Sequence, residues 1–168
     1  MNLTEEEFRE RVISIGAWYS ELDYDFHIKG FKQLSDECND DKEVARLCYE
    51  FDKYCTLELM FLAIIGNRET EKYLWLQLKQ LKNTKYEDEL LQCAGALTAL
   101  DIDEGFEELE KIIRNSQGSP DYSDVYDILE FIDNPRANKM KQDMLNGFYG
   151  EKAKKYAKYY TDNPRYGD

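Results

Sequence analysis

One histidine, three prolines and nine glycines in 168 residues remove several common designs at the outset. With so few turn formers and helix breakers, an all-β chain is disfavoured and long helices joined by short loops are favoured. The sole histidine, His27, has no Ser or Cys neighbour that would make it a catalytic base, and reads as a structural residue. The four cysteines, Cys38, Cys48, Cys55 and Cys93, form no CxxC pair. One His and scattered thiols make no zinc set, so no metal site is expected. Cys48 and Cys55 share a helix face by their spacing and are expected to be small, reduced core residues. There is no glycine-rich phosphate loop and no nucleophile elbow, so neither a cofactor nor a catalytic constellation is expected. Long apolar runs are absent too. The longest candidate, Leu57 to Ile65, contains Glu58 and is too short to cross a bilayer. The start, Met1-Asn2-Leu3-Thr4-Glu5-Glu6-Glu7, is acidic and has no apolar h-region, so a cytoplasmic protein without a secretory signal is expected.

What the chain has in excess is negative charge. Thirty-five Asp and Glu against 22 Lys and Arg give a net charge of -13. Binding a phosphate backbone needs a basic footprint, so nucleic acid is excluded as a direct ligand, and an anionic membrane surface is equally disfavoured. A basic partner would be drawn in at a rate that falls with salt. The plainer reading, that acidity keeps a soluble protein soluble, stands beside it. The segment Asp101-Ile102-Asp103-Glu104-Gly105 superficially suggests a calcium loop. That loop needs an oxygen ligand at position 5 and Gly at 6, where Gly105 and Phe106 stand, so the segment reads as a helix turn with Asp103 as N-cap. Chance pairs of carboxylates are guaranteed at this composition and carry no weight as an acid/base pair. The 13 Tyr suit either helix contacts in a thin fold or a protein interface.

Helical periodicity runs through most of the chain. In Glu87 to Asn115, Leu90, Leu91, Ala94, Leu97 and Leu100 share one face, and Phe106, Leu109, Ile112 and Ile113 share another after a short acidic break. Two helices so closely joined lie antiparallel, and Ala94, Gly95 and Ala96 would let them approach. Start and stop signals mark the rest. They are a capping box at Thr4 and Glu7, an acidic start at Asp40-Asp41, Asn67 as a cap after Gly66, and Asn134-Pro135 as cap and first-turn proline. Expected helices cover 5–21, 25–38, 41–54, 57–66, 69–82, 87–100, 105–115, 122–133, 135–147 and 150–160. Trp18, Tyr19 and Leu22 are expected on the apolar face of the first. The chain reads as one domain, 1–168, with a repeat-like core at about 55–147 and a basic, aromatic last helix and tail at 150–168.

Leu62, Ile65 and Leu78 stand 35 residues before Leu97, Leu100 and Ile113, and Leu129 and Ile132 stand 32 after Leu97 and Leu100. The stretch LLQCAGALTALDIDEGFEELEKIIR resembles a HEAT-like repeat, with alanines at the helix contact and Asp after the last leucine. The match spans about 55–147 with falling fidelity, and the N-terminal third matches only in helix pairing. The resemblance implies an all-α fold, a short right-handed array of antiparallel helical hairpins, or HEAT-like α-solenoid. A small, acidic, Tyr-rich helical chain is also similar, as a class, to bacterial toxin immunity proteins of the contact-dependent growth inhibition type, some of which use such folds. That similarity implies a stoichiometric inhibitor, not an enzyme, that covers the active-site cleft of a basic toxin, commonly a nuclease domain, with acidic surface. A helical adaptor or scaffold without a toxin partner and an enzyme of unfamiliar type using an acidic groove are the alternatives.

In stacked hairpins the turns between paired helices line up along one edge. The partner-binding residues expected on that basis are Asp23, Tyr24 and Asp25, then Asp101, Asp103 and Glu104, then Asp133. Tyr122 and Asp124 are expected elsewhere on the rim, as is the loop Asp36 to Asp41. Asp41 and Asp103 are expected to cap helices as well. Three carboxylates at 101–104 exceed what one cap uses, leaving charge for a partner.

Overall fold

The computed structural model describes residues 3–16, 24–51, 56–115 and 122–163. Among them every regular element is helical: α1 (Glu5–Ile15), α2 (Tyr24–Cys38), α3 (Asp41–Phe51), α4 (Leu57–Ile64), α5 (Glu71–Leu81), α6 (Glu87–Ala99), α7 (Asp103–Asn115), α8 (Tyr122–Glu130), α9 (Pro135–Leu145) and α10 (Glu151–Asp162). A 3-10 turn, Arg68–Thr70, leads into α5.

Local chemistry accounts for most of these boundaries. At α1 the Thr4 hydroxyl accepts from the Glu7 N–H at 3.3 Å while the Glu7 carboxylate accepts from the Thr4 N–H at 2.8 Å, a reciprocal capping box. Those bonds favour the ionised form and hold the Glu7 carboxyl below its ordinary range. α1 ends at Ile15, and the rest of the expected span, 17–21, lies outside the described residues. Gly16, at φ 76°, closes the helix in the left-handed region, and Trp18, Tyr19 and Leu22 lie outside the described residues. Asn134 caps α9 by accepting from the Ala137 N–H at 2.8 Å, with Pro135 in the first turn. Two expected caps are displaced. Asp40, not Asp41, accepts the α3 N–H of Glu43 at 3.1 Å, and α7 begins at Asp103, whose carboxylate faces Arg136 instead of capping.

The core is organised on α4, where Leu57 to Ala63 are all buried. α4 packs on α2, α3 and α6, and α6 in turn packs on α5, α7 and α8, while α10 lies against α8 and α9. The Phe61 ring stands at the centre, stacked on Phe31 at 5.6 Å and edge-on to Tyr24 at 5.6 Å. Burying such a ring stabilises by about 3 kcal/mol. His27 is buried beside it, 5.2 Å from Phe61 between ring centroids. Cys38, Cys48 and Cys93 are buried and unbridged, and burial pushes the Cys93 thiol up to about 12. Cys55 lies outside the described residues.

The small residues work differently from expectation. A Cβ on Gly95 would meet the Ile128 side chain at 2.6 Å, so this glycine admits α8, not α7. The close approach of α7 to α6 is made by Gly105, where a Cβ would lie 2.5 Å from the Thr98 backbone nitrogen. The 35-residue spacing has a physical counterpart in the helix ends. Asn67 N–H donates to Leu62 C=O at 2.8 Å across Gly66 at φ 94°, and Ile102 N–H donates to Leu97 C=O at 3.0 Å across Asp101 at φ 60°. Both are Schellman closures, with a left-handed residue satisfying the last carbonyls of α4 and of α6.

Candidate functional site

Four turns are tied in series by side chains that reach from one to the next. Asn67, whose Oδ1 accepts from the Glu69 N–H, uses its Nδ2 to donate to the Asp41 carbonyl at 3.0 Å. Arg68 Nη1 donates to the Leu100 carbonyl at 3.2 Å. Asn134, besides capping α9, donates through Nδ2 to the Thr98 carbonyl at 2.9 Å. Arg136 Nη1 reaches Asp101 at 3.3 Å and Asp103 at 2.8 Å, with its guanidinium 3.9 Å from the Phe106 ring centroid. The series therefore runs through 39–41, 66–68, 100–103 and 134–136. Three of these links end on backbone carbonyls near helix ends, and Arg136 ends on carboxylates.

This row gathers some of the expected partner-binding residues and disperses the others. Asp101, Asp103, Glu104 and Asp133 all sit on it, with Asp101 and Asp133 exposed and Glu104 half-buried. The first turn of the row is 39–41, between α2 and α3, where the sequence pointed to 23–25, between α1 and α2. Tyr24 is only 7% exposed, with its ring against Phe61 and, at 5.1 Å, against Phe131, so it presents little to a partner. Asp25 is exposed in the first turn of α2, and Asp124 is half-buried in the first turn of α8. Asp23 and the Tyr122 side chain lie outside what is described.

Charge on the row is lower than the sequence suggests. Arg136 pairs with Asp101 and Asp103, so the surplus at 101–104 is met in part from α9. The pairs are exposed and each is worth under about 1 kcal/mol, so they moderate repulsion more than they stabilise.

A second acidic face was not foreseen. On α3 the single guanidinium of Arg46 serves Glu43 at 2.6 Å, Glu50 at 2.5 Å and, across to α1, Glu5 at 3.0 Å. Hydrogen bonding to Arg46 holds the Glu43 carboxyl below its ordinary range. Three carboxylates on one cation leave an excess of two negative charges. Between α1 and α3 runs an open groove of about 570 Å³, lined by Glu6, Glu10 and Glu50, by the buried Phe8 and Leu47, and by the more exposed Ile13 and Phe51. The sequence signal was present. Glu6, Glu10 and Ile13 fall on one stripe of α1, and Ile13 sits outside the apolar face made by Phe8, Val12 and Ile15.

Elsewhere, Glu108 joins α5 and α7 by pairing with Lys82 at 3.1 Å and Lys111 at 2.9 Å. Burial raises its carboxyl, but the two lysines outweigh that and leave it below the ordinary range. Burial pushes the Tyr149 phenol up to about 12. Arg114 lies 5.3 Å from the centroid of the same ring. No group of three or more His, Cys, Asp or Glu placed to hold a metal occurs among the described residues, and none of their helices is long and apolar enough to cross a membrane. No family model matches the chain, and no curated protein or solved structure matches it.

Proposed function

We propose that this protein is a stoichiometric inhibitor that binds a basic protein partner, in the manner of bacterial toxin immunity proteins, and that it works in the cytoplasm by occupancy and not by turnover. The partner is a cationic toxin domain, with a nuclease as the leading class. The observation that carries this reading is the distribution of charge. The segment from Glu151 has five basic and three acidic side chains, so the first 150 residues carry −15. A nucleic-acid cleft is lined by cations, and a rigid helical body with that charge can occupy it, steered by long-range attraction.

The same reading takes the frame as a short HEAT-like array. It is supported by the two Schellman closures 35 residues apart, at Leu62–Asn67 and Leu97–Ile102, and by the series of turn-to-turn bonds. The test is co-purification with a basic partner followed by titration. Loss of the partner's nuclease activity with a 1:1 endpoint is expected. Inactivation at sub-stoichiometric amounts of this protein would mean an enzyme instead.

A further inference from the structure

We propose that the groove between α1 and α3 is the docking site for a basic amphipathic helix of the partner, a step that rests on the reading of this protein as a binder of basic proteins. α1 packs chiefly on α2, and the gap it leaves toward α3 is bridged by the Arg46–Glu5 pair. Two helices bridged at the surface by this ion pair and by Arg9 over Phe51 make a trough that a third helix can enter, apolar side down. Its lining supplies the apolar contact. Ile13 is 49% exposed on a helix whose other large apolar residues are buried, so its side chain is available to a guest. Next to it is Phe51, with Arg9 lying 4.8 Å over its ring.

The walls supply the charge. Among the described lining residues there are four carboxylates and one guanidinium, from Arg9; Glu5 and Glu50 already share Arg46, so Glu6 and Glu10 carry the charge offered to a guest. Glu6 and Glu10 follow one another by a single turn on α1. They line up with Ile13 on one stripe of α1, so acidic and apolar side chains follow one another at helical spacing. A guest helix with an apolar residue over Ile13 and Lys or Arg one turn to either side matches that pattern. The length of α1 allows about three turns of guest helix, or roughly 16 Å. Nucleic acid and anionic lipid are repelled by the same walls, and a small metabolite would leave much of the open trough unfilled.

The experiment uses the full chain and a labelled amphipathic helical peptide of leucine and lysine. A scrambled peptide of equal composition and a leucine–glutamate counterpart serve as controls. Saturable binding of the Leu/Lys peptide is expected, about tenfold tighter than the scrambled form, with no binding of the Leu/Glu peptide. The double variant Glu6→Lys, Glu10→Lys and the single variant Ile13→Asp should each weaken it about tenfold or more, with unchanged circular dichroism. Amide exchange should slow on α1 and α3. The variant Asp103→Asn, Glu104→Gln should bind as the parent does. Equal binding of the scrambled peptide, or indifference to the α1 substitutions, would overturn the groove as the docking site. Sensitivity to the 103–104 variant in its place would overturn the groove but leave the function reading standing. That reading fails separately, on the titration against a basic nuclease. Self-association abolished by Ile13→Asp would assign the groove to a second copy and also overturn the proposal.

Discussion

The row of turns from 39 to 136 and the face shared by α1 and α3 are both acidic, yet they are built on opposite plans. On the row, cations and amides from one turn are spent on the next: Asn67 on Asp41, Arg68 on Leu100, Asn134 on Thr98, Arg136 on Asp101 and Asp103. Its amides grip backbone carbonyls of neighbouring turns, and Asp101 and Asp103 share Arg136. On the α1–α3 face one arginine is divided among three carboxylates, and the helices stand apart over a groove. Density of acid in a sequence therefore does not distinguish a surface that is occupied by its own chain from one that is open to another.

If that contrast holds, substitutions on the row will act on stability and those on the groove face on binding. The largest effect should come from Gly105→Ala. Its new methyl would strike backbone, the Thr98 nitrogen at 2.5 Å, which cannot turn aside. A loss of about 3 kcal/mol in urea unfolding is expected. Gly95→Ala meets only the Ile128 side chain, and the better helix propensity of alanine offsets part of the crowding, so about 1 kcal/mol is expected there. Equal losses would mean that the α6–α7 contact is softer than its geometry implies.

Asn134→Ala should follow, at about 2 kcal/mol, because it removes a cap and a bridge to Thr98 together. The same substitution at Asn67 tests whether the two asparagines are equivalent. Arg46→Met should cost less, under about 1 kcal/mol, and the loss should shrink as salt rises. A loss that ignores salt would show Arg46 to matter for packing and not for charge.

The smallest effect concerns acid. The folded-state carboxyl of Glu43 is held low by Arg46, so its contribution to stability is fully present above the unfolded carboxyl pKa of about 4.3 and is lost as pH falls through the lower folded value. Glu108, held low by two lysines in spite of its burial, acts in the same direction. In a denaturation series below about pH 4.3, Arg46→Met should lose stability less steeply than the parent. Parallel curves would remove Glu43 from the account.

Most of the helices were legible because their apolar residues recur at helical spacing and their ends carry residues with one good use. Thr4 with Glu7, Asn67, and Asn134 before Pro135 are of this kind. Where two neighbours were chemically alike, sequence could not choose. Asp40 and Asp41 could each cap α3, and the backbone decided for Asp40. Gly95 announced a close approach but not the helix that makes it, since that is a matter of which face turns to α8. The polar site was less legible than the fold for a related reason. Whether Asp101 is opposed depends on Arg136, and that pairing exists only once α9 is laid beside the turn. On α1, Ile13 falls outside the apolar face made by Phe8, Val12 and Ile15, and only the placing of α3 brings it to the lining of a groove.

Asn67 and Asn134 also bear on how such a chain can be rearranged. Each begins its own helix with one side of its amide and, with the other, takes hold of a carbonyl more than twenty-five residues upstream. The grip fixes the distance between successive units, so a residue inserted into α6 would shift Thr98 by a third of a turn and leave Asn134 reaching for the wrong carbonyl. A unit transplanted into another protein would need the end of the helix before it as well. The natural module for grafting or deletion accordingly runs from the middle of one helical pair to the middle of the next, across the turn and not between turns.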